Sequence, residues 1–459
     1  MTREEAEAIL AKGPEAAIFV MMALSTRLAE LAKAGPSAAP LTPSGMVPLY
    51  EKPTVSKRAK TPGGKPGHPG ACRKPPPEIT HHEEHPPLAV CPDCGSPLPA
   101  PSERRFRLIE DIPETQPEVT EHSIPRRWCP TCQKIVEPPV PDALPGATFG
   151  HRLIALTAWL HYGLGATISQ ILAVLRHALH FTLTEGGLVD AWQRLAAILK
   201  PWYDAIGREV KQGGTLHADE TGWRVAGRTV WLWCFTTAHA TYYMIDRCRG
   251  APALLKFFTE EFAGVLVTDF WAAYNVVVCA ARQACLVHLF RELEKVDELD
   301  GSETWAAFRK KLKRLLGDAI RLGAQRQDLS QETFASRRAL LDTRRDELLA
   351  TPRANAHAKR LLKRLRRYRN ALFTFLDHPD VPSDNNHAER EIRPAVIIRE
   401  NSLCNRSENG ATVQAILMSV YRTLKLRGLD PLETIVSALK DYVRTGVLPP
   451  LPGSNTSDG

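Results

Sequence analysis

The chain has no apolar run approaching the roughly 18 residues that a membrane-crossing helix needs. The longest such run near its start, Ala16 to Leu24, follows an acidic stretch, Arg3-Glu4-Glu5-Ala6-Glu7, where a secretion signal would carry a basic one. A soluble cytoplasmic protein with no membrane partner is therefore expected. Cysteine is also scarce. Ten in 459 residues cannot staple a chain of this length, which excludes a disulfide scaffold and leaves reduced thiols, four of them in two Cys-x-x-Cys pairs. Nor does composition run to an extreme: with 44% hydrophobic and 24% charged residues the chain is neither wholly disordered, collagen-like nor a coiled coil. Its length suits about three domains with real cores.

Neither sign of charge dominates overall, since 59 Lys+Arg face 51 Asp+Glu for a net +8. The excess is concentrated. From Arg291 to Arg369 there are 21 basic and 12 acidic residues, a local +9. A second basic stretch, Lys52, Lys57, Arg58, Lys60, Lys65, Arg73 and Lys74, lies in Pro/Gly-rich sequence opposed only by Glu51. Clustered Lys and Arg release counterions from a polyanion, so both stretches are candidate phosphate-contacting surfaces. On charge alone a solvated helix face and a solubilising linker fit equally well.

Residues 1–34 read as an N-terminal helix that sets Met21, Leu24, Leu28 and Leu31 at 3-4-3 spacing, a seam that suits self-association or ordinary packing. Residues 35–86 read as a flexible basic linker, rich in Pro and Gly and too poor in apolar residues to fold alone. Residues 87–140 hold Cys91-Pro-Asp-Cys94-Gly95 and Trp128-Cys129-Pro-Thr-Cys132. In each, a two-residue gap beside Pro or Gly makes a tight knuckle, and two knuckles can aim four sulfurs at one ion. Cys91, Cys94, Cys129 and Cys132 are thus expected to hold one structural Zn2+ in a zinc ribbon, with Arg104 to Ile124 supplying strands. Residues 150–200 show three helical apolar segments split at Gly163-Leu-Gly165 and Thr184-Glu-Gly-Gly187, which fits a helix-turn-helix-like module or a plain three-helix unit.

From Thr215 the apolar period shortens to that of strands. Three of them, 215–222, 229–235 and 241–246, with turns at Gly227 and His239, precede a helix from Ala251 to Phe262 and a fourth strand over 264–269. A helix from Trp271 and a fifth strand, Cys285 to Leu289, complete the order β-β-β-α-β-α-β. That order is ribonuclease-H-like, a mixed sheet with helices on its faces, and the expected fold class is multidomain α/β. It makes Asp219 and Asp269 neighbours on adjacent strands. Two carboxylates alone can be a structural pair; Ser383-Asp-Asn-Asn-His-Ala-Glu389 offers a third, with Ser383 or Asp384 as N-cap and Glu389 inward-facing on the second turn. Glu391, two residues on, faces about 200° away. Glu220 alternates to the far side of its strand from Asp219 and is expected as a surface or N-cap partner, whereas His217 shares the aspartate's face. Three carboxylates with open positions suit two Mg2+ (or Mn2+) ions that activate a water or 3′-hydroxyl for in-line displacement at phosphorus.

These motifs carry a resemblance. The two knuckles, Leu216-His-Ala-Asp219-Glu-Thr-Gly222, Thr268-Asp269 with Tyr274 five residues on, Cys285-x-x-His288 and Asn385-Asn-His-Ala-Glu389-Arg-x-Ile-Arg393-Pro394 together resemble the transposases of the IS66 insertion-sequence family, from about Lys52 to Leu448. The resemblance implies a DDE transposase with Asp219, Asp269 and Glu389 as its catalytic, metal-binding triad. It places a ribonuclease-H-like catalytic domain at 210–400, a helical insertion at 292–380 and a C-terminal helical segment at 401–450. DNA contacts are expected from His288, Asn386, Arg390 and Arg393 around the triad, and from Lys359, Arg360, Lys363, Arg364, Arg366 and Arg367 in the insertion. Also implied are a homo-oligomer on DNA, accessory proteins of the element and a bacterial, nucleoid-associated location. Two other readings stand beside it: a structure-selective nuclease that cuts without joining, and a non-catalytic zinc-ribbon DNA-binding protein. Trp271 is expected to pack beneath a helix, and Cys234, Cys248, Cys279 and Cys404 to be buried thiols.

Overall fold

The computed structural model describes residues 76–453. The expected N-terminal helix and most of the basic linker lie outside the described residues. Residues 87–140 carry little regular structure. Strands β1 (Arg127–Cys129) and β2 (Lys134–Val136) pair antiparallel and bracket the second knuckle, while a bridge from Val90 to Pro97 closes the first. The strands expected over Arg104 to Ile124 do not form, and Phe106, Ile112 and Val119 are exposed along an extended segment. Pro113 and Pro117 lack the N–H that a ladder requires, and the alternating apolar residues have no partner to bury against.

Three helices follow: α1 (His151–Ala158), which runs into a π-helical turn at Trp159–Gly163, α2 (Ile168–Ala178) and α3 (Glu185–Gln212). A capping box starts α2, with Thr167 and Gln170 each accepting the other's backbone N–H. The apolar stripe of α3, Leu188, Trp192, Leu195, Leu199, Trp202, Ile206 and Val210, is buried in one core with Trp233 and Phe235 of the sheet. Helix α3 therefore walls the sheet, and α1 and α2 pack on α3 within the same core instead of standing apart as a separate helix-turn-helix-like unit.

The sheet comprises β3 (Thr215–Val225), β4 (Arg228–Thr236), β5 (Thr241–Asp246), β6 (Phe262–Thr268) and β7 (Cys279–Ala284), in the order β5-β4-β3-β6-β7. The first three run antiparallel; β3–β6 and β6–β7 are parallel. Ala226 and Gly227 turn β3 into β4 with φ of 49° and 77°, the left-handed pair that suits strand twist. Helix α4 (Ala251–Phe257) leads into β6 and is shorter than expected, and a single 3-10 turn, Ala272–Val276, replaces the helix expected from Trp271.

The fifth strand also lies elsewhere than expected. It is β7, and Cys285 caps a helix, α5 (Leu286–Asp297). Leu286, Leu289, Leu293 and Val296 are buried at 3-4-3 spacing, a helical period that the short window Cys285 to Leu289 conceals. Beyond it α6 (Glu303–Ala324), α7 (Gln331–Ala350) and α8 (Ala356–Arg367) build a second core around Trp305, Phe308, Leu316 and Leu362, which also covers Val265 and Val267 of β6. This insertion leaves and returns at one point, where the Leu286 N–H donates to the Ser383 carbonyl at 2.9 Å. Then come α9 (Asn386–Ser402), α10 (Glu408–Leu426) and α11 (Pro431–Thr445). Helix α10 packs on both α3 and β5 and is buried on nearly every side, as befits a central helix. Among the described residues no helix is long and apolar enough to cross a membrane.

Candidate active site

Parallel pairing sets His217 opposite Val267, so Asp219 and Asp269, each two residues further, stand level where β6 ends. One oxygen of Asp219 accepts the Glu220 N–H and one of Asp269 accepts the Trp271 N–H, each at 2.9 Å. Burial pushes the Asp219 carboxyl up to about 7, helped by the charge of Asp269 and then of Glu389. Burial raises Asp269 as well. Hard oxygen donors that resist ionising together are the chemistry a divalent cation relieves, so the pair fits such an ion.

Glu389 lies on the first turn of α9, not the second, because Asn385 occupies the N-cap position; the expected capping side chain Asp384 does accept the Asn386 N–H, at 2.9 Å. Its half-buried carboxylate accepts hydrogen bonds from Arg291 at 3.2 and 3.3 Å and faces His288 Nε2 at 3.8 Å. Among the described residues, the one set of three Cys, His or acidic side chains whose ligand atoms all lie within 4.8 Å of one another is Cys285, His288 and Glu389. The structure thus sets the two aspartates side by side but turns Glu389 toward Arg291 and His288.

Polar side chains outside the expected site hold α9 in place. Asn385 is buried and donates its amide to the Ala218 carbonyl at 2.9 Å; its amide oxygen meets His217 Nδ1 at 3.0 Å, and its backbone N–H reaches Cys285 Sγ at 3.2 Å. His217, pushed down to about 4 mainly by burial, is a neutral partner in this contact. His387 Nε2 meets the Thr237 carbonyl at 2.7 Å. Glu391 is buried against Arg422, and Arg399 donates to Thr221 Oγ1 at 2.7 Å and the Gly222 carbonyl at 2.9 Å. The signal was present in the polar residues around Glu389, which recur along the faces of α9 that meet the sheet.

Glu220 corrects its surface assignment. It is buried, accepts from Tyr274 Oη at 2.7 Å and Arg249 at 3.1 Å, and its carboxyl is raised well above the usual range by burial. The guanidinium of Arg249 lies 4.5 and 4.3 Å from the ring centres of Trp231 and Trp271, a cation held by two aromatic faces. Trp271 therefore packs on an arginine beside the acids rather than under a helix.

Of the expected DNA contacts, Arg390 and Arg393 are exposed next to Glu389, and Asn386 is half-buried. On α8, Lys359, Lys363 and Arg367 project outward. Arg360 and Arg364 instead bind Glu292, and Arg366 donates to the Leu349 carbonyl at 2.6 Å, so these guanidiniums tie the insertion together. Lys310, Lys311, Lys313 and Arg314, within the same basic stretch 291–369, add an exposed face on α6.

In the first knuckle the Cys91 N–H donates to Ser96 O and the Gly95 N–H to Cys91 O, both at 2.9 Å. A hydrogen bond with Ser96 draws the Cys94 thiol down to about 7, and the Cys132 N–H lowers that of Cys129. Thiols so lowered suit Zn2+, although the structure does not gather the two pairs into one cluster. Elsewhere Cys234 is buried as expected, Cys279 and Cys404 are half-buried, and Cys248 is exposed.

Comparison with known proteins gives two family matches. Residues 146–413 match the transposase IS66 family, and residues 89–133 match the zinc-finger binding domain of transposase IS66. Three relatives come from Sinorhizobium fredii (strain NBRC 101917 / NGR234). Uncharacterized protein y4qI is 27% identical over 63% of this chain and 58% of its own length. Uncharacterized protein y4hP is 24% identical over 80% of this chain and 73% of its own, and uncharacterized protein y4jD 24% over 77% and 75%. The chain thus spans less than two thirds of the first of these relatives.

Proposed function

We propose, from the premise that the chain belongs to the IS66 transposase family, that it is a DDE transposase whose sheet is ribonuclease-H-like and whose triad is Asp219, Asp269 and Glu389. The observation that carries this reading is the level placement of Asp219 and Asp269 on adjacent parallel strands, with Glu389 one helical turn beyond the Asn385 link to the same strand. The three carboxylates would hold two Mg2+ or Mn2+ ions, which when bound polarise the attacking oxygen and stabilise the departing 3′ oxygen.

The chain's own residues supply the rest. Asp219 and Asp269 provide fixed anionic oxygens, and Asn385 keeps α9 against β3 so that Glu389 stays within reach of them. Arg291, Arg390 and Arg393 present donors to a phosphate entering the site. Water attacks the phosphorus at a transposon end, and the 3′ oxygen leaves as a free hydroxyl. That hydroxyl then attacks a phosphorus of target DNA, with no covalent enzyme intermediate. The exposed basic faces of α6 and α8 would track the duplex backbone, and Cys91, Cys94, Cys129 and Cys132 would hold one structural Zn2+. Joining two ends together calls for a homo-oligomer on bacterial, nucleoid DNA, with accessory proteins of the element as further partners.

The test uses DNA carrying the element's own ends, with Mg2+ and the element's other proteins. Wild type should cut the ends and, given a pre-cleaved end, join it to target, while Asp219→Asn does neither. Cutting without joining would favour the nuclease reading. Undiminished processing by Asp219→Asn would remove the triad from the mechanism.

A further inference from the structure

We propose that Cys285, His288 and Glu389 form a second metal site, softer than the aspartate pair, that takes Zn2+ or a similar borderline transition cation and regulates the triad by withholding Glu389. This rests on the reading above for the catalytic role of Glu389. The ligand atoms of the three residues already lie within 4.8 Å of one another. They come from three places fixed by the fold: Cys285 at the end of β7, His288 three residues on and one turn into α5, and Glu389 on the first turn of α9. The links that join these elements, Leu286 N–H to Ser383 O at 2.9 Å and Asn385 N–H to Cys285 Sγ at 3.2 Å, run beside the cluster.

A second observation points to a ligand. His288 Nδ1 is buried without a hydrogen-bond partner, while Nε2 of the same ring faces Glu389 at 3.8 Å. With no partner fixing Nδ1, the ring's tautomer is free, and the Nε2 turned to the carboxylate is the nitrogen that a cation between the two would take. Thiolate, imidazole and carboxylate together are a zinc donor set, and Mg2+ avoids sulfur, so this cluster and the all-oxygen aspartate pair select different ions. Cys285 is fully buried, whereas His288 and Glu389 are half-exposed, which leaves a fourth position open to solvent. Arg291 holds the same carboxylate at 3.2 Å, so a cation here competes with that guanidinium for Glu389. A bound soft cation draws Glu389 away from Asp219 and Asp269 and holds the triad apart.

The test counts metal. The full-length chain, its Cys285→Ser and His288→Gln variants and an Arg291→Gln variant are equilibrated with buffered free Zn2+, desalted, and their zinc measured by mass spectrometry. Wild type should carry one zinc per chain more than either ligand variant, whatever the knuckles hold, and Arg291→Gln should reach the same content at lower free Zn2+. Replacing zinc by Co2+ should show one thiolate fewer in the charge-transfer absorption of Cys285→Ser. If Cys285→Ser fails to fold, the half-exposed His288 still decides the matter. Equal zinc in wild type and His288→Gln overturns the proposal. Mg2+-dependent end cleavage is scored separately: a zinc difference without cleavage sinks the transposase reading and with it the regulatory role, while the metal site itself stands, and cleavage without a zinc difference sinks the metal site alone.

Discussion

Asn385 donates its side-chain amide to the carbonyl of Ala218, the residue just before Asp219. One buried amide thereby couples the strand that bears the first acid to the helix that bears the third. Its oxygen meets His217 on the same strand, so the link is held at two points on neighbouring residues.

Removing that link should cost both stability and metal response. Asn385→Ala leaves the Ala218 carbonyl and His217 without partners, a loss of about 2–4 kcal/mol for two buried groups, read as a fall in the urea midpoint. The gain in melting temperature that Mg2+ confers should also shrink. A melting gain equal to that of wild type would make Asn385 a packing residue only.

The raised Asp219 carboxyl predicts a pH signature in the metal-free chain. Its folded value of about 7 exceeds the ordinary 3.8, so the stability tied to its protonation is whole below about pH 4 and is lost as pH climbs through 7. Asp219→Asn removes the ionising group. The variant should melt above wild type at pH 8, by an amount that fades on acidification toward pH 4, and Mg2+ should stabilise wild type more at pH 8 than at pH 5. A pH-independent difference between the two would contradict the assignment.

Glu389 and Glu391 should separate cleanly. Glu391→Ala breaks the buried pair with Arg422 and is expected to destabilise the chain by about 3 kcal/mol or more. Glu389→Gln gives up only a half-exposed pairing with Arg291, so it should fold as wild type in denaturant melts and yet lose end cleavage. Retained cleavage in Glu389→Gln, or an unchanged melt in Glu391→Ala, would reverse their roles.

The basic helices divide the same way. Replacing Lys359, Lys363 and Arg367 by Gln should weaken DNA binding and flatten the dependence of log Kd on log salt by up to about 0.9 for each phosphate that is no longer neutralised. Arg364→Gln, which unties Glu292, should instead lower the melting temperature. Identical salt slopes for wild type and the triple variant would return the outer face of α8 to plain solvation.

Much of this geometry could be read from residue order. Alternation along β3 and the place where β6 stops bring Asp219 and Asp269 level, and the 100° step of a helix sends Glu391 away from Glu389. Other features depend on what covers a surface, which local pattern does not encode. Strand alternation separates Glu220 from Asp219, but it does not say that both faces of a central strand roofed by other elements are buried, nor that Glu220 stays close enough to feel the charges of both aspartates. The charge run of α8 shows where cations are dense, not which of them reach back to Glu292 or Leu349. The β7–α5 boundary is hidden from local pattern because Cys285 to Leu289 is shorter than one full helical repeat of Leu286, Leu289, Leu293 and Val296.

The meeting of Leu286 and Ser383 has a consequence for how such a chain can change. Everything between them departs and comes home through a gap one hydrogen bond wide, so the length of the excursion is decoupled from the spacing of the acids on either side. Enlarging, trimming or exchanging the insertion need not move Glu389 relative to Asp269, since the closure entropy of the detour grows only slowly with its length. What a shortened version must replace is the cover over Val265 and Val267, two apolar side chains for which the detour serves as a lid.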